Sequence, residues 1–140
     1  MGSGKGSEMS EVLNFELVSP ERKLASTEAE AVTIPGMEGD LTAMANHAPF
    51  LTNLRPGFVV VRNGSSEDSY FVTGGFAEIS QNTVTVLAEE AVERENVDRA
   101  LIEAKIAEAE EAHEHATPGR KKAALQKLND FKAFLGQIGG

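Results

Sequence analysis

At 140 residues, with 41% hydrophobic and 25% charged side chains, the chain has room for one modest core and a small appendage, in the range of soluble globular proteins. A formal net charge of −9 argues against nucleic acid and anionic lipid as partners, because both are bound largely through Lys and Arg. With no cysteine there is no disulfide, thiolate zinc site or cysteine nucleophile, and no apolar run approaches the ~20 residues that insertion across a bilayer needs.

The stretch Gly2-Ser3-Gly4-Lys5-Gly6-Ser7 has the composition of a phosphate loop but lacks the preceding strand that would aim its amides. Residues 1–10 therefore read as a flexible leader or cloning remnant, with Met9 as a native start. Residues 11–95 carry short apolar runs separated by turn residues. Leu13, Phe15 and Leu17 alternate with Asn14 and Glu16, and Val84 and Val86 with Thr83 and Thr85, so each segment offers one apolar face. Phe58 to Val61 and Tyr70 to Val72 are continuous, as suits strands covered on both sides or at a subunit contact. Ser19-Pro20, Pro35-Gly36, Pro56-Gly57, Asn63-Gly64 and Gly74-Gly75 punctuate the runs, and Asn63-Gly64 is a natural hairpin tip. The reading is an all-β sandwich of eight to ten strands in two sheets, since a single open sheet would leave an apolar face uncovered.

Residues 96–140 change character. Five alanines (Ala100, Ala104, Ala107, Ala109, Ala112) and no glycine fall between Asn96 and His115, which predicts a helix with Asn96 as its cap and Asp98 in its first turn. Thr117-Pro118-Gly119 breaks it, and Thr117 with Pro118 starts a second helix. There Ala124, Leu128, Phe131, Leu135 and Ile138 share one face, expected to pack on the alanines, Leu101, Ile102 and Ile106 of the first helix. The first helix has six acids against two bases and the second five bases against one acid, so an antiparallel hairpin matches opposite charges. Exposed pairs of this kind hold by only ~0–1 kcal/mol each, which leaves the hairpin able to open toward a competing acidic surface.

Two blocks carry a resemblance. Ile34-Pro35-Gly36-Met37-Glu38-Gly39-Asp40-Leu41 followed by Asn46 to Gly57, and Phe71 to Ile79 followed by Asn82 to Ala88, resemble the epsilon-subunit family of the F-type ATP synthases in order and spacing. The resemblance implies an N-terminal β-sandwich and a C-terminal helical hairpin, matching the reading from periodicity. It also implies a non-catalytic rotor subunit of the central stalk, bound to the gamma subunit and seated on the c ring, peripheral to the cytoplasmic face of a bacterial inner membrane.

Carried over by position, Glu38, Gly39, Asp40, Leu41, His47, Ala48 and Pro49 face the c ring, with the Asp40 carboxylate accepting from a partner donor. Gly74, Gly75 and Phe76 face gamma. Arg120, Lys121, Lys122 and Lys127 are candidates for contact with beta, in the alpha/beta head. From the residues alone, Glu38-Gly39-Asp40 reads more simply as a surface turn, the glycine pair is at least as often a bend between strands, and the cations are equally a solvated helix face.

Some relatives bind ATP through an Asp-x-x-Arg-Ala segment. Here Asp98 remains but Leu101 stands in place of Arg, so weak or absent ATP binding is expected and no cofactor is assigned. The rival reading is a small-ligand sensor enclosing ATP. Catalysis finds no constellation: His47, His113 and His115 are the only histidines, there is no Gly-x-Ser-x-Gly, and His113 and His115 diverge on a helix, as a metal pair would not.

Overall fold

The computed structural model describes residues 12–138, so the expectations about residues 1–10 and Met9 lie outside the described residues. The chain divides after Arg94 into two compact units.

The first unit is built from ten strands: β1 (Leu13–Val18), β2 (Lys23–Ala29), β3 (Ala31–Gly36), β4 (Gly39–Met44), β5 (Phe50–Leu54), β6 (Gly57–Asn63), β7 (Ser66–Val72), β8 (Gly75–Ile79), β9 (Thr83–Ala88) and β10 (Ala91–Glu93). It is a β-sandwich whose layers are joined in one hydrogen-bonded path, β10-β7-β6-β3-β5-β8-β9-β1-β2, with β4 added to β3. β1 pairs parallel with β9, and every other pairing is antiparallel. The path wraps round: the Glu30 amide donates to the Arg62 carbonyl at 2.8 Å, and Asn63 Nδ2 reaches the Glu28 carbonyl at 3.3 Å, so the β2–β3 connection lies against β6.

Alternation decides what is inside. Leu13, Phe15 and Leu17 of β1 and Val84 and Val86 of β9 are buried, together with Val32, Ile34, Val59, Val61, Val72, Ala77 and Ile79. The continuous run Phe58 to Val61 alternates after all: Val59 and Val61 enter the core, while Phe58 is half-buried on the other side. There its ring meets Phe71 edge-on at 6.3 Å and carries the Arg94 guanidinium 4.5 Å above it. In the β6–β7 hairpin Asn63 pairs with Ser66 as a strand residue, and Gly64 at φ +64° takes the first turn position. Asn63 spends its side chain on Glu28 instead of making the turn.

The second unit contains a 3-10 turn (Arg94–Asn96 at the boundary), helix α1 (Arg99–Glu114), a second 3-10 turn (Pro118–Arg120) and helix α2 (Lys121–Gln137). The cap of α1 is Asp98 rather than Asn96: its Oδ1 accepts from the Leu101 amide at 2.8 Å. Asn96 ends the preceding 3-10 turn and lies two residues too early. Thr117 precedes the second 3-10 turn with Pro118 at its first position, but its side chain makes no capping bond. The two helices pack on each other as a hairpin, burying Leu128, Phe131 and Phe134 on α2 and Ile102 and Ala109 on α1. Of the five alanines Ala109 alone is buried, and Phe134 joins the buried face ahead of Leu135 and Ile138, which are half-buried. Among the described residues no helix is long and apolar enough to cross a membrane.

Candidate docking surfaces

The β3–β4 hairpin places Met37 and Glu38 at its tip, between the facing residues Gly36 and Gly39. Gly39 sits at φ +137°, a conformation L side chains rarely adopt, which is why glycine closes this turn. Gly36 is needed for a different reason, since a Cβ there would lie 2.8 Å from the Gly39 carbonyl. Asp40 does not present a free carboxylate: its Oδ1 accepts from Arg55 Nη2 at 2.5 Å. The same guanidinium donates through Nη1 to the Gly36 carbonyl. Glu38 and Met37 remain exposed.

His47 lies elsewhere. Asp40 pairs with Pro35 near one end of β4, and Met44 pairs with Ala31 at the other; His47 follows Met44, its amide bonded to the Met44 carbonyl. At ~3.4 Å per strand residue the hairpin tip and the His47–Pro49 turn are separated by the length of β4, roughly 17 Å. A partner meeting both must lie along that strand, which has β3 as its hydrogen-bonded neighbour. The turn itself is shaped by Asn46 at φ 67°, held to Gln81 through its amide and side chain. His47 Nδ1 bonds to the Ala48 carbonyl at 2.6 Å, which fixes the ring on its own turn.

The glycine pair belongs to the fold before it belongs to a surface. Gly74 is buried, at φ +150° with the Glu89 carboxylate beside it. At Gly75, φ +123°, a Cβ would be 2.1 Å from the Leu87 carbonyl, so β8 can meet β9 only with glycine there. Of the three residues, Phe76 alone sends its side chain outward, 39% exposed.

Phe76 is not isolated. It pairs with Leu87, also 39% exposed, and Leu87 pairs with Val18 on β1. With Pro20 these side chains line a shallow apolar groove of about 490 Å³ on the outer face of β8, β9 and β1. Leu51, 65% exposed, lies one strand away on β5, opposite Glu78. Toward the other end the same outer face turns polar, with Asn14, Glu16, Thr83 and Thr85. Strand parity made Leu87 and Val18 findable: each is an apolar residue at a position whose i−2 and i−4 neighbours are polar.

On the helical unit the four candidate cations differ. Lys121 Nζ donates to the His113 carbonyl at 2.7 Å and the Glu114 carbonyl at 3.2 Å, closing the C-terminus of α1. Arg120 and Lys122 are exposed on the connection and the first turn of α2, and Lys127 is half-buried. Asp98, the surviving acid of the ATP segment, is occupied as the α1 cap, and Leu101 beside it is half-buried. No group of residues that could hold a metal ion occurs among the described residues.

Comparison with known proteins follows the same division. The family model for the ATP synthase Delta/Epsilon chain β-sandwich domain matches residues 12–94. The chain is 46% identical over 131 residues to the ATP synthase epsilon chain of Cereibacter sphaeroides, covering 94% of this chain and 99% of that one. The chain belongs to the ATP synthase epsilon-chain family. A second epsilon chain, from Rhodobacter capsulatus, is 46% identical over 130 residues, covering 93% of this chain and 98% of that one. The likeness among epsilon chains thus continues through both helices, beyond the sandwich that the family model covers.

Solved structures carry the same fold. A chain in the Euglena gracilis mitochondrial ATP synthase structure of OSCP, F1 and c ring superposes with a TM-score of 0.69 at 22% identity, covering 90% of this chain and 81% of that one. A chain in the Tetrahymena thermophila mitochondrial ATP synthase central stalk and c ring gives 0.61 at 16% identity, covering 91% and 96%. An epsilon chain is a non-catalytic component of its complex.

Proposed function

We propose that this epsilon chain is a rotor element of the central stalk, joining the proton-driven c ring to the gamma subunit and, through it, to the alpha/beta catalytic head. The observation that carries this reading is the apolar strip of exposed Phe76, Leu87 and Pro20 with half-buried Val18 on the outside of the sandwich. Contiguous apolar side chains on an outer sheet face are what a permanent protein partner covers. Gamma takes this strip, and the hairpin tip Glu38 to Leu41 meets polar loops of the c ring. The His47–Pro49 turn joins that contact where the ring's loops run along β4. As part of that complex the chain sits peripherally at the cytoplasmic face of the bacterial inner membrane.

The helical hairpin is the regulatory part in this reading, with Arg120 and Lys122 as the cations presented to acidic segments of beta. Lys121 serves the hairpin itself, being committed to the end of α1. ATP is not bound tightly, because the position where relatives carry the guanidinium is Leu101 and the Asp98 carboxylate caps a helix.

Co-elution with purified gamma on size exclusion tests the assignment. Phe76→Glu and Leu87→Asp are each expected to weaken binding by about 10- to 100-fold, since each places a charge where an apolar side chain was buried by the partner. Both are outward-facing positions and leave the fold intact by circular dichroism. Failure of the unaltered chain to bind gamma refutes the stalk assignment.

A further inference from the structure

One side chain organises the whole hairpin tip. The Arg55 guanidinium donates to the Gly36 carbonyl on β3 and to the Asp40 carboxylate on β4, both at 2.5 Å, spanning the two strands of the hairpin from a third segment of chain. Its backbone is tied to the same place: the Arg55 amide donates to the Pro35 carbonyl at 3.0 Å, and the Met37 amide to the Asn53 carbonyl at 2.8 Å. The crowding is tight enough that a Cβ on Gly57 would lie 2.9 Å from Pro35 Cβ. Arg55 is 28% exposed in its side chain while Asp40 is 63% exposed, so the cation is the sheltered, fixed member and the acid reaches back to it.

A planar fork with separately directed N–H groups can hold a carbonyl and a carboxylate at once, and an ammonium on a flexible stem cannot hold both in fixed directions. The arrangement leaves a division of labour among the acids. Asp40 is neutralised within the chain. Glu38, at the exposed tip, makes no ion pair among the described residues and projects beside the exposed Met37.

We propose that Arg55 is the positioning residue of the β3–β4 tip, with Asp40 as its internal partner, and that Glu38 is the carboxylate it holds out to a partner loop bearing N–H or cationic donors. This rests on the reading of the tip as the c-ring contact and moves the recognising group from Asp40 to Glu38.

Two measurements on the full-length chain test it. The first is amide hydrogen exchange without any partner. Arg55→Lys is expected to speed exchange at the Met37 amide about tenfold, leaving β8 and β9 unchanged. The second is affinity for detergent-solubilised c ring carrying gamma. Glu38→Gln and Arg55→Lys are each expected to weaken it about tenfold, the scale of one charge-assisted hydrogen bond. Because Arg55 acts through Glu38, the double variant is expected to lose little more than either single one, a coupling that general loss of stability would not produce.

Unchanged exchange at Met37 in Arg55→Lys, or fully additive losses in the double variant, overturns the positioning role. If the tip loosens while neither Arg55→Lys nor Glu38→Gln alters affinity for an assembly that binds the unaltered chain, Glu38 is not the recognising group and the proposal is overturned, whereas failure of the unaltered chain to bind that assembly overturns the stalk reading instead. Loss of affinity in Asp40→Asn without faster exchange at Met37 returns the recognition role to Asp40 and overturns the proposal.

Discussion

The two units of this epsilon chain are stabilised differently. The sandwich buries a continuous core running from Leu13 through Ala88, with sixteen residues in one cluster. Among its described residues the helical unit buries five hydrophobic ones: Ile102, Ala109, Leu128, Phe131 and Phe134. Its connection is fastened by polar contacts that water can compete for, chiefly Lys121 on the last carbonyls of α1. The difference has a physical consequence: a unit with a closed core resists deformation, and one held by four large side chains and a cap can rearrange at lower cost.

The sharpest way to break the sandwich is at Gly75. Gly75→Ala brings a Cβ against the Leu87 carbonyl at a φ that alanine avoids, and is expected to cost about 3 kcal/mol or more. Equilibrium denaturation followed by fluorescence-independent far-UV dichroism would register it, and a stable Gly75→Ala protein would mean that β8 and β9 separate more easily than their register implies. For the hairpin, Phe131→Ala removes one of its few buried large side chains and is expected to cost about 3–5 kcal/mol. Helical dichroism is expected to fall while amide protection in β1, β8 and β9 persists. Loss of protection in both would end the contrast.

Smaller changes sharpen the picture. Asp98→Ala should cost about 1 kcal/mol, seen as faster exchange of the Leu101 amide with the rest of α1 protected. Lys121→Met removes two donations to the end of α1 and should cost about 0.5–1 kcal/mol, read as fraying around His113 and Glu114. Smallest of all, Glu103→Gln breaks an exposed i,i+4 pair with Arg99 and should stay within about 0.5 kcal/mol. A larger effect there would show that surface charge, and not the buried face, governs the hairpin.

Much of this is legible in the amino-acid sequence. Alternation marked the faces of β1 and β9, and turn residues marked most strand ends. Those features depend on near neighbours along the chain, so a linear pattern contains them. The misreadings were local as well: Asn96 and Asp98 are both competent caps two residues apart, and the backbone path into α1 chose the second. Ala109 is buried while four other alanines are exposed, because helix rotation is set by what packs on it.

The sequence by itself determined the alternating faces, the strand–helix division and, through its motifs, the family. Tertiary structure alone decided which charges are spent and which are offered. Asp40 is fifteen residues from Arg55 along the chain, and Gly75 needs its missing side chain because of a carbonyl on Leu87. Likewise Phe76, Leu87 and Val18 become one apolar strip only when β8, β9 and β1 are laid side by side. Periodicity reports which way a side chain points, but the partner it meets is fixed by pairings between distant segments, and those exist only once the core has closed.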